Sequence, residues 1–212
     1  MKKLHIIGTG GLAKELISYI ESEKPKRYKI IGCWSDKNFN NEKYGKFYSG
    51  TIQSFKRHYK SNEAIIIAIA NNEARKRLIS DFETIKPLYE TYIHQSCIIS
   101  DFSKIGIGCI LAPRVIICAD AIVQDFVFMN TECVVGHDSL IESFSCLFPK
   151  VEICGDCHIE ECCEFGINSI VLPGIRLKKS SKLDAMSVLR KNYDKSALYI
   201  GNPAKPVKLF DT

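Results

Sequence analysis

Read at every sixth residue from Ile93 to Leu189, the chain returns only apolar side chains, seventeen positions in succession, although only 46% of its residues are hydrophobic. The positions two residues earlier are mostly small: Cys97, Cys109, Cys133, Cys157 and Cys163, interspersed with serines such as Ser139, Ser145 and Ser181. In a strand, residues i and i−2 share one face. A six-residue period with one large and one small inward residue therefore predicts short strands joined at corners, with the small residue beside each corner. Stacked units of this kind bury one continuous core, which is the logic of a parallel β-helix. The register runs from 93 to 189 without an insertion, so a plain prism of about five coils is expected.

Residues 1–88 follow other periods. KLHIIG reads as a strand, GTGGLAKELISYIES as a glycine turn opening an amphipathic helix, and KIIGCWSD as a second strand ending at Asp36. AIIIAIA at 64–70 is a continuous apolar run of the kind a buried parallel strand carries. NNEARKRLISDFE reads as a helix with Asn71 or Asn72 as its cap. The expected fold has two parts, an α/β Rossmann-like domain over 1–88 and an all-β parallel β-helix domain over 89–212. GTGGLA fits G-x-G-x-x-G/A through Gly8, Gly10 and Ala13. Backbone N–H groups and a helix N-terminus can meet a phosphate there, although a tight structural turn leaves the same trace. A dinucleotide needs two mononucleotide halves, and a segment of this length supplies about one. The prediction is a single-nucleotide site around Gly8, Gly10 and Gly11, with Asp36 near the base or ribose.

Ten cysteines in 212 residues raise two alternatives. Disulfide frameworks belong to small secreted chains, and the apolar run in MKKLHIIGTGG is too short for a signal peptide; a cytoplasmic protein is expected. Zinc is the second alternative, because Cys154, Cys157, His158, Cys162 and Cys163 crowd together. The register, however, places Cys157 and Cys163 in the inward slot, where Cys acts as a compact hydrophobe, so no metal is expected. No apolar run reaches the length of a membrane span. A net charge of +5 is too mild to argue for nucleic acid, but nine Lys/Arg against two Asp fall between Arg176 and Lys208. Such a segment is either a solvated surface or a site for a phosphate-bearing partner.

An α/β start followed by an uninterrupted hexapeptide helix resembles the bacterial sugar acyltransferases that N-acetylate nucleotide-linked 4-amino sugars or O-acetylate sialic acid. The similarity spans nearly the whole chain and rests on GTGGLAKEL, Asp36, IAIANNEARKRL, NTECVVGHD and GNPAKPVK. It implies a left-handed β-helix, against the usual right-handed crossover. It also implies an acetyl-CoA-dependent N-acetyltransferase acting on a nucleotide-linked amino sugar, of the 4-amino-4,6-dideoxy type, for surface polysaccharide. The resemblance makes His137 the general base, Asp138 the acid that orients it, and Asn130 a residue that positions substrate or base. The register agrees: with Val135 inward, His137 turns outward at a corner, and Gly155 follows one coil later, about 4.8 Å away. The resemblance gives the Gly155 N–H to the thioester carbonyl.

Two positions depart from the family pattern. Gly136 stands where an acid is common, and Cys146 where a second His often contacts the acetyl thioester. Cys146, outward by register, is expected to make that acyl-donor contact, with a nucleophilic role as the alternative. CoA carries a pyrophosphate and a 3′-phosphate, and Lys178, Lys179, Lys182 and Lys205 lie on or after the last coils. GNPAKPVK resembles the loop that closes over CoA in this family, and the resemblance, to enzymes that bind CoA in grooves between subunits, implies a homotrimer. O-acetylation of sialic acid or a related sugar is the alternative reaction, and a non-catalytic pathway scaffold the alternative class. His5, His58 and His158 belong to no constellation.

Overall fold

The computed structural model describes residues 1–209 and divides the chain after Thr91. In the first unit, β1 (Lys2–Ile7), β2 (Tyr28–Trp34), β3 (Tyr48–Gly50), β4 (Ala64–Ile67) and β5 (Leu88–Tyr89) form one sheet in the order β3-β2-β1-β4-β5, all parallel. The central strands β1 and β4 carry the apolar runs, and Leu4, Ile6, Ile65 and Ile66 are fully buried. The helices are α1 (Gly11–Ser22), α2 (Glu42–Gly45), α3 (Ile52–His58) and α4 (Asn72–Asp81). Leu12, Leu16 and Ile20 recur at helical spacing on α1 and are buried together with Ala13 and Ile17, giving it one apolar face. Asn71 caps α4 by accepting from the N–H of Ala74 at 2.8 Å. His5 belongs to a buried relay that its sequence surroundings did not reveal. Trp34 Nε1 donates to His5 Nδ1 at 3.0 Å, which leaves Nε2 to donate to Glu63 Oε2 at 3.0 Å.

The second unit carries seventeen two-residue strands, β6 (Tyr92–Ile93) to β22 (Val188–Leu189), one every six residues. Each pairs in parallel with strands eighteen residues away, as Val134↔Glu152 and Val135↔Ile153 do. Three strands therefore complete a coil, and three sheets wall the prism. The second residue of each strand points inward; Leu111, Met129, Val135, Leu147 and Phe165 are fully buried. The small slot is equally closed at Cys109, Cys133, Cys163, Ser145 and Ser181. Cys133, Cys157 and Cys163 donate their thiols to the carbonyls of Phe148 (3.1 Å), Leu172 (3.2 Å) and Lys178 (3.2 Å). Burial pushes these thiols up, that of Cys133 to about 12. They are core side chains.

The corners turn by a device the sequence does not announce. Gly108, Gly174 and twelve other residues, spaced six apart as far as Met186, hold φ between 55° and 72°. This left-handed backbone costs a residue with a β-carbon about 1–2 kcal/mol, yet Arg114, Phe126, Lys150 and Met186 adopt it. Backbone bonds between coils hold it in place: Asp138 N donates to Ala119 O (3.1 Å), Lys150 N to Thr131 O (2.9 Å) and Asp156 N to His137 O (2.9 Å). After β22, strand β23 (Ala197–Gly201) pairs in parallel with β21 (Lys182–Leu183), and β24 (Ala204–Leu209) turns back antiparallel to β23. GNPAKPVK, expected as a loop, is thus the turn and outer strand of a hairpin. Among the described residues, no helix is long and apolar enough to cross a membrane.

Candidate functional site

Val135 is fully buried, and the chain then turns outward through Gly136 and His137 into the left-handed corner residue Asp138, at φ 58°. The His137 side chain is 62% exposed, and its Nδ1 lies 2.8 Å from Asp138 Oδ2. An ionised carboxylate only accepts hydrogen bonds, so Nδ1 carries the ring proton and Nε2 presents a lone pair. The hydrogen bond that Nδ1 donates to Asp138 raises the His137 pKa above its ordinary value; partial desolvation opposes this, and the charges of Asp138 and Asp156 add to it.

The next coil explains two glycines. A β-carbon at Gly155 would lie 2.5 Å from His137 Nε2 and 2.6 Å from Cε1, so the imidazole rests against this glycine and any side chain there would displace it. The Gly155 N–H has no acceptor among the described residues. A β-carbon at Gly136 would come within 2.5 Å of the Cys154 and Gly155 backbone. The acid common at that family position has no room here, because the two coils approach each other at Gly136. Asp156, one coil beyond Asp138, was not recognised from sequence, although the eighteen-residue stride leads directly to it. Side-chain atoms of His137, Asp138 and Asp156 lie within 4.8 Å of one another.

Other expected residues fall out differently. Asn130 Oδ1 accepts from the N–H of its neighbour Thr131 at 2.7 Å, which fixes the side chain in a local turn. Cys146 keeps its outward register but is 1% exposed, in an apolar column with Ile110 and Phe128. Outward of the strand is not outward to solvent here: the Cys146 thiol is buried. Lys178 and Lys179 are not free cations: they pair with Glu160 at 3.1 Å and Glu161 at 3.2 Å, as Lys182 does with Glu164 at 3.4 Å. Each acid lies one coil earlier, so the charge of these three lysines is matched. Lys205 is exposed on β24. His158 does sit in a constellation, bridging Glu142 Oε1 (2.6 Å) and the Arg176 guanidinium (2.6 Å).

In the α/β unit, Gly8, Gly10 and Gly11 line a cavity of about 470 Å³ with Lys14, Ser35, Lys37 and Asn38. Gly8 is required twice over, by φ +124° and by a β-carbon position only 2.7 Å from Ala68 O. Gly10 and Gly11 face open space, and α1 begins without a side-chain cap, leaving its first N–H groups toward the cavity. Asp36 does not line it. Its carboxylate accepts from the N–H of Ile52 at 3.2 Å, holding the start of α3, and the next residues, Lys37 and Asn38, face the cavity in its place.

Residues 3–82 match the PglD N-terminal domain family. Over 97% of this chain and 97% of its own length, the structure of PerB from Caulobacter crescentus, solved with CoA and GDP-perosamine, is 25% identical with a TM-score of 0.86. The acetyltransferase domain of PglB from Neisseria gonorrhoeae FA1090 is 22% identical over 98% of this chain and 100% of its own, with a TM-score of 0.86. WeeI from Acinetobacter baumannii AYE is 20% identical over 98% and 100%, with a TM-score of 0.85. The chain has the two-part fold expected from its sequence, an α/β domain followed by a left-handed parallel β-helix.

Proposed function

We propose that the protein transfers the acetyl group of acetyl-CoA to the amino group of a nucleotide-linked amino sugar, with His137 as general base. The observation that carries this reading is the imidazole held at an exposed corner by Asp138, with its Nε2 side against Gly155 and an uncommitted backbone N–H beside it. As the amine attacks the thioester carbonyl, Nε2 takes its proton, Asp138 steadies the imidazolium, and the Gly155 N–H meets the developing oxyanion. The sulfur of CoA leaves as the amide forms and takes the proton from the imidazolium, which restores the base. Support for the substrate class comes from PerB, solved with CoA and GDP-perosamine, and from the PglB domain, solved with acetyl-CoA.

The glycine turn and the start of α1 receive the nucleotide's phosphates, with Lys14 and Lys37 as the cations lining that cavity. Asn130 stiffens the approach to the His137 coil. Lys205, with residual help from Lys178 and Lys179, faces the phosphates of CoA, in a groove between subunits of a homotrimer. Acetyl-CoA and nucleotide sugars are cytoplasmic metabolites, which places the reaction there. The test is CoA release with a panel of GDP- and UDP-linked amino sugars, free amino sugars and sialic acids, together with mass measurement in solution. Turnover of nucleotide-linked amines, falling about 10²–10⁴-fold in kcat for His137→Ala, is the expected result. Turnover of hydroxyl acceptors alone would make the protein an O-acetyltransferase, and no turnover of any acceptor would make it a scaffold.

A further inference from the structure

We infer that Asp156 is a second positioning residue for His137, a carboxylate supplied by the following coil that steadies the imidazolium while the ring carries the acceptor's proton. The inference rests on the reading of His137 as general base. Asp138 and Asp156 occupy one corner on successive coils, at φ 58° and 57°. The N–H of Asp156 donates to His137 O at 2.9 Å, which ties the backbone carrying the second carboxylate to that carrying the ring. The ring leans toward the Asp156 coil, since three of its atoms would crowd a β-carbon at Gly155. Asp120 occupies the same corner on the preceding coil, at φ 59°, and the ring leans away from it. The charges that act on the imidazole are therefore those of Asp138 and Asp156. The other titratable neighbour on the facing coil is the half-buried Cys154, whose thiol is pushed up by burial.

The two carboxylates act by different routes. Asp138 makes a direct hydrogen bond at 2.8 Å, whereas Asp156 acts across a short gap that solvent can enter. Two unit charges about 5 Å apart in water displace a titration by about 0.3–0.6 pH units at low to moderate ionic strength. Salt near 1 M, with a Debye length of about 3 Å, removes most of that and leaves the hydrogen bond in place. The sign follows from the raised pKa: His137 stays protonated to a higher pH, and the base becomes available above it. Removing Asp156 moves the acidic limb of activity to lower pH and leaves a weaker base on the plateau.

The experiment is an NMR titration of the histidine rings in the whole resting protein, with the His137 signal assigned by its loss in His137→Ala. Asp156→Asn, Asp138→Asn and Asp120→Asn are compared at low and high salt; Asn tolerates the left-handed corner, so the backbone is kept. Asp156→Asn is expected to lower the His137 midpoint by about 0.3–0.6 pH units at low salt, and by far less at 1 M. The acidic limb of kcat/KM should move with it, and Asp120→Asn should do less. An unmoved midpoint at low salt, or an equal movement with Asp120→Asn, overturns the inference. The titration needs no substrate. A moved midpoint in a protein that acetylates nothing would remove the base assignment and, with it, the positioning role, whereas an unmoved midpoint in an active enzyme removes Asp156 alone.

Discussion

The two units of this chain assemble a site by opposite rules. In the α/β unit, the cavity draws Gly8 from the end of β1, Lys37 from beyond β2 and Ala68 to Ala70 from beyond β4, neighbours only because the sheet order brings those strand ends together. In the β-helix, neighbours are found by adding eighteen: His137 to Gly155, Asp138 to Asp156, Glu160 to Lys178, Glu161 to Lys179. One site is addressed by topology and the other by a stride. A substitution in the helix should therefore be felt one coil away along the same column, while one in the α/β unit should be felt across distant segments.

The sharpest test of the stride is Gly155→Ala, which puts a methyl group where the imidazole lies. Displacing the base by about an ångström should lower kcat about 10²-fold with little change in Tm, because the ring is exposed. An unchanged kcat would mean that the column does not position the base. Gly136→Asp, which restores the acid common in the family, should instead destabilise the protein by about 1–3 kcal/mol, since the β-carbon meets backbone with no room to yield; a denaturant titration reads it directly. In the α/β unit, Asp36→Ala should cost about 0.5–1 kcal/mol of stability through the lost acceptor at the start of α3 and leave the KM for nucleotide sugar unchanged. Lys37→Ala should raise that KM. The reverse pattern would return Asp36 to the cavity. The smallest effect is expected at Met186, exposed and held at φ 59°. Met186→Gly should gain about 0.5 kcal/mol, relief of the left-handed penalty outweighing the added chain entropy.

Much of this was readable from the residues, and the remainder was hidden for physical reasons. The six-residue period exposed the prism because inward positions admit only apolar or small side chains, and it put Cys157 and Cys163 in the core. The His137–Asp138 pair was legible because both residues sit at one corner. Asp156 follows from the same stride and needed only the further step of one coil. The left-handed corners were illegible: Arg114, Phe126 and Met186 carry no local preference for that backbone, which the stacking imposes. The bond from the start of α3 to Asp36 and the burial of Cys146 were not legible, because both depend on residues outside the local pattern. His5 looked idle because its partners, Trp34 and Glu63, lie on other segments of the α/β unit.

The closing hairpin has a consequence for solubility. A stack of parallel strands ends in a row of unpaired N–H and C=O groups, a template on which another chain can grow. Here β23 covers β21, and β24 becomes the outermost strand of that eight-stranded sheet. Its residues include Lys205, Pro206 and Lys208. Proline cannot donate a ladder hydrogen bond, and lysines resist the approach of a second, like-charged edge. The segment whose sequence resembles a cover for CoA is thus also a stopper for that one wall of the prism, the other two ending at β22 and β20.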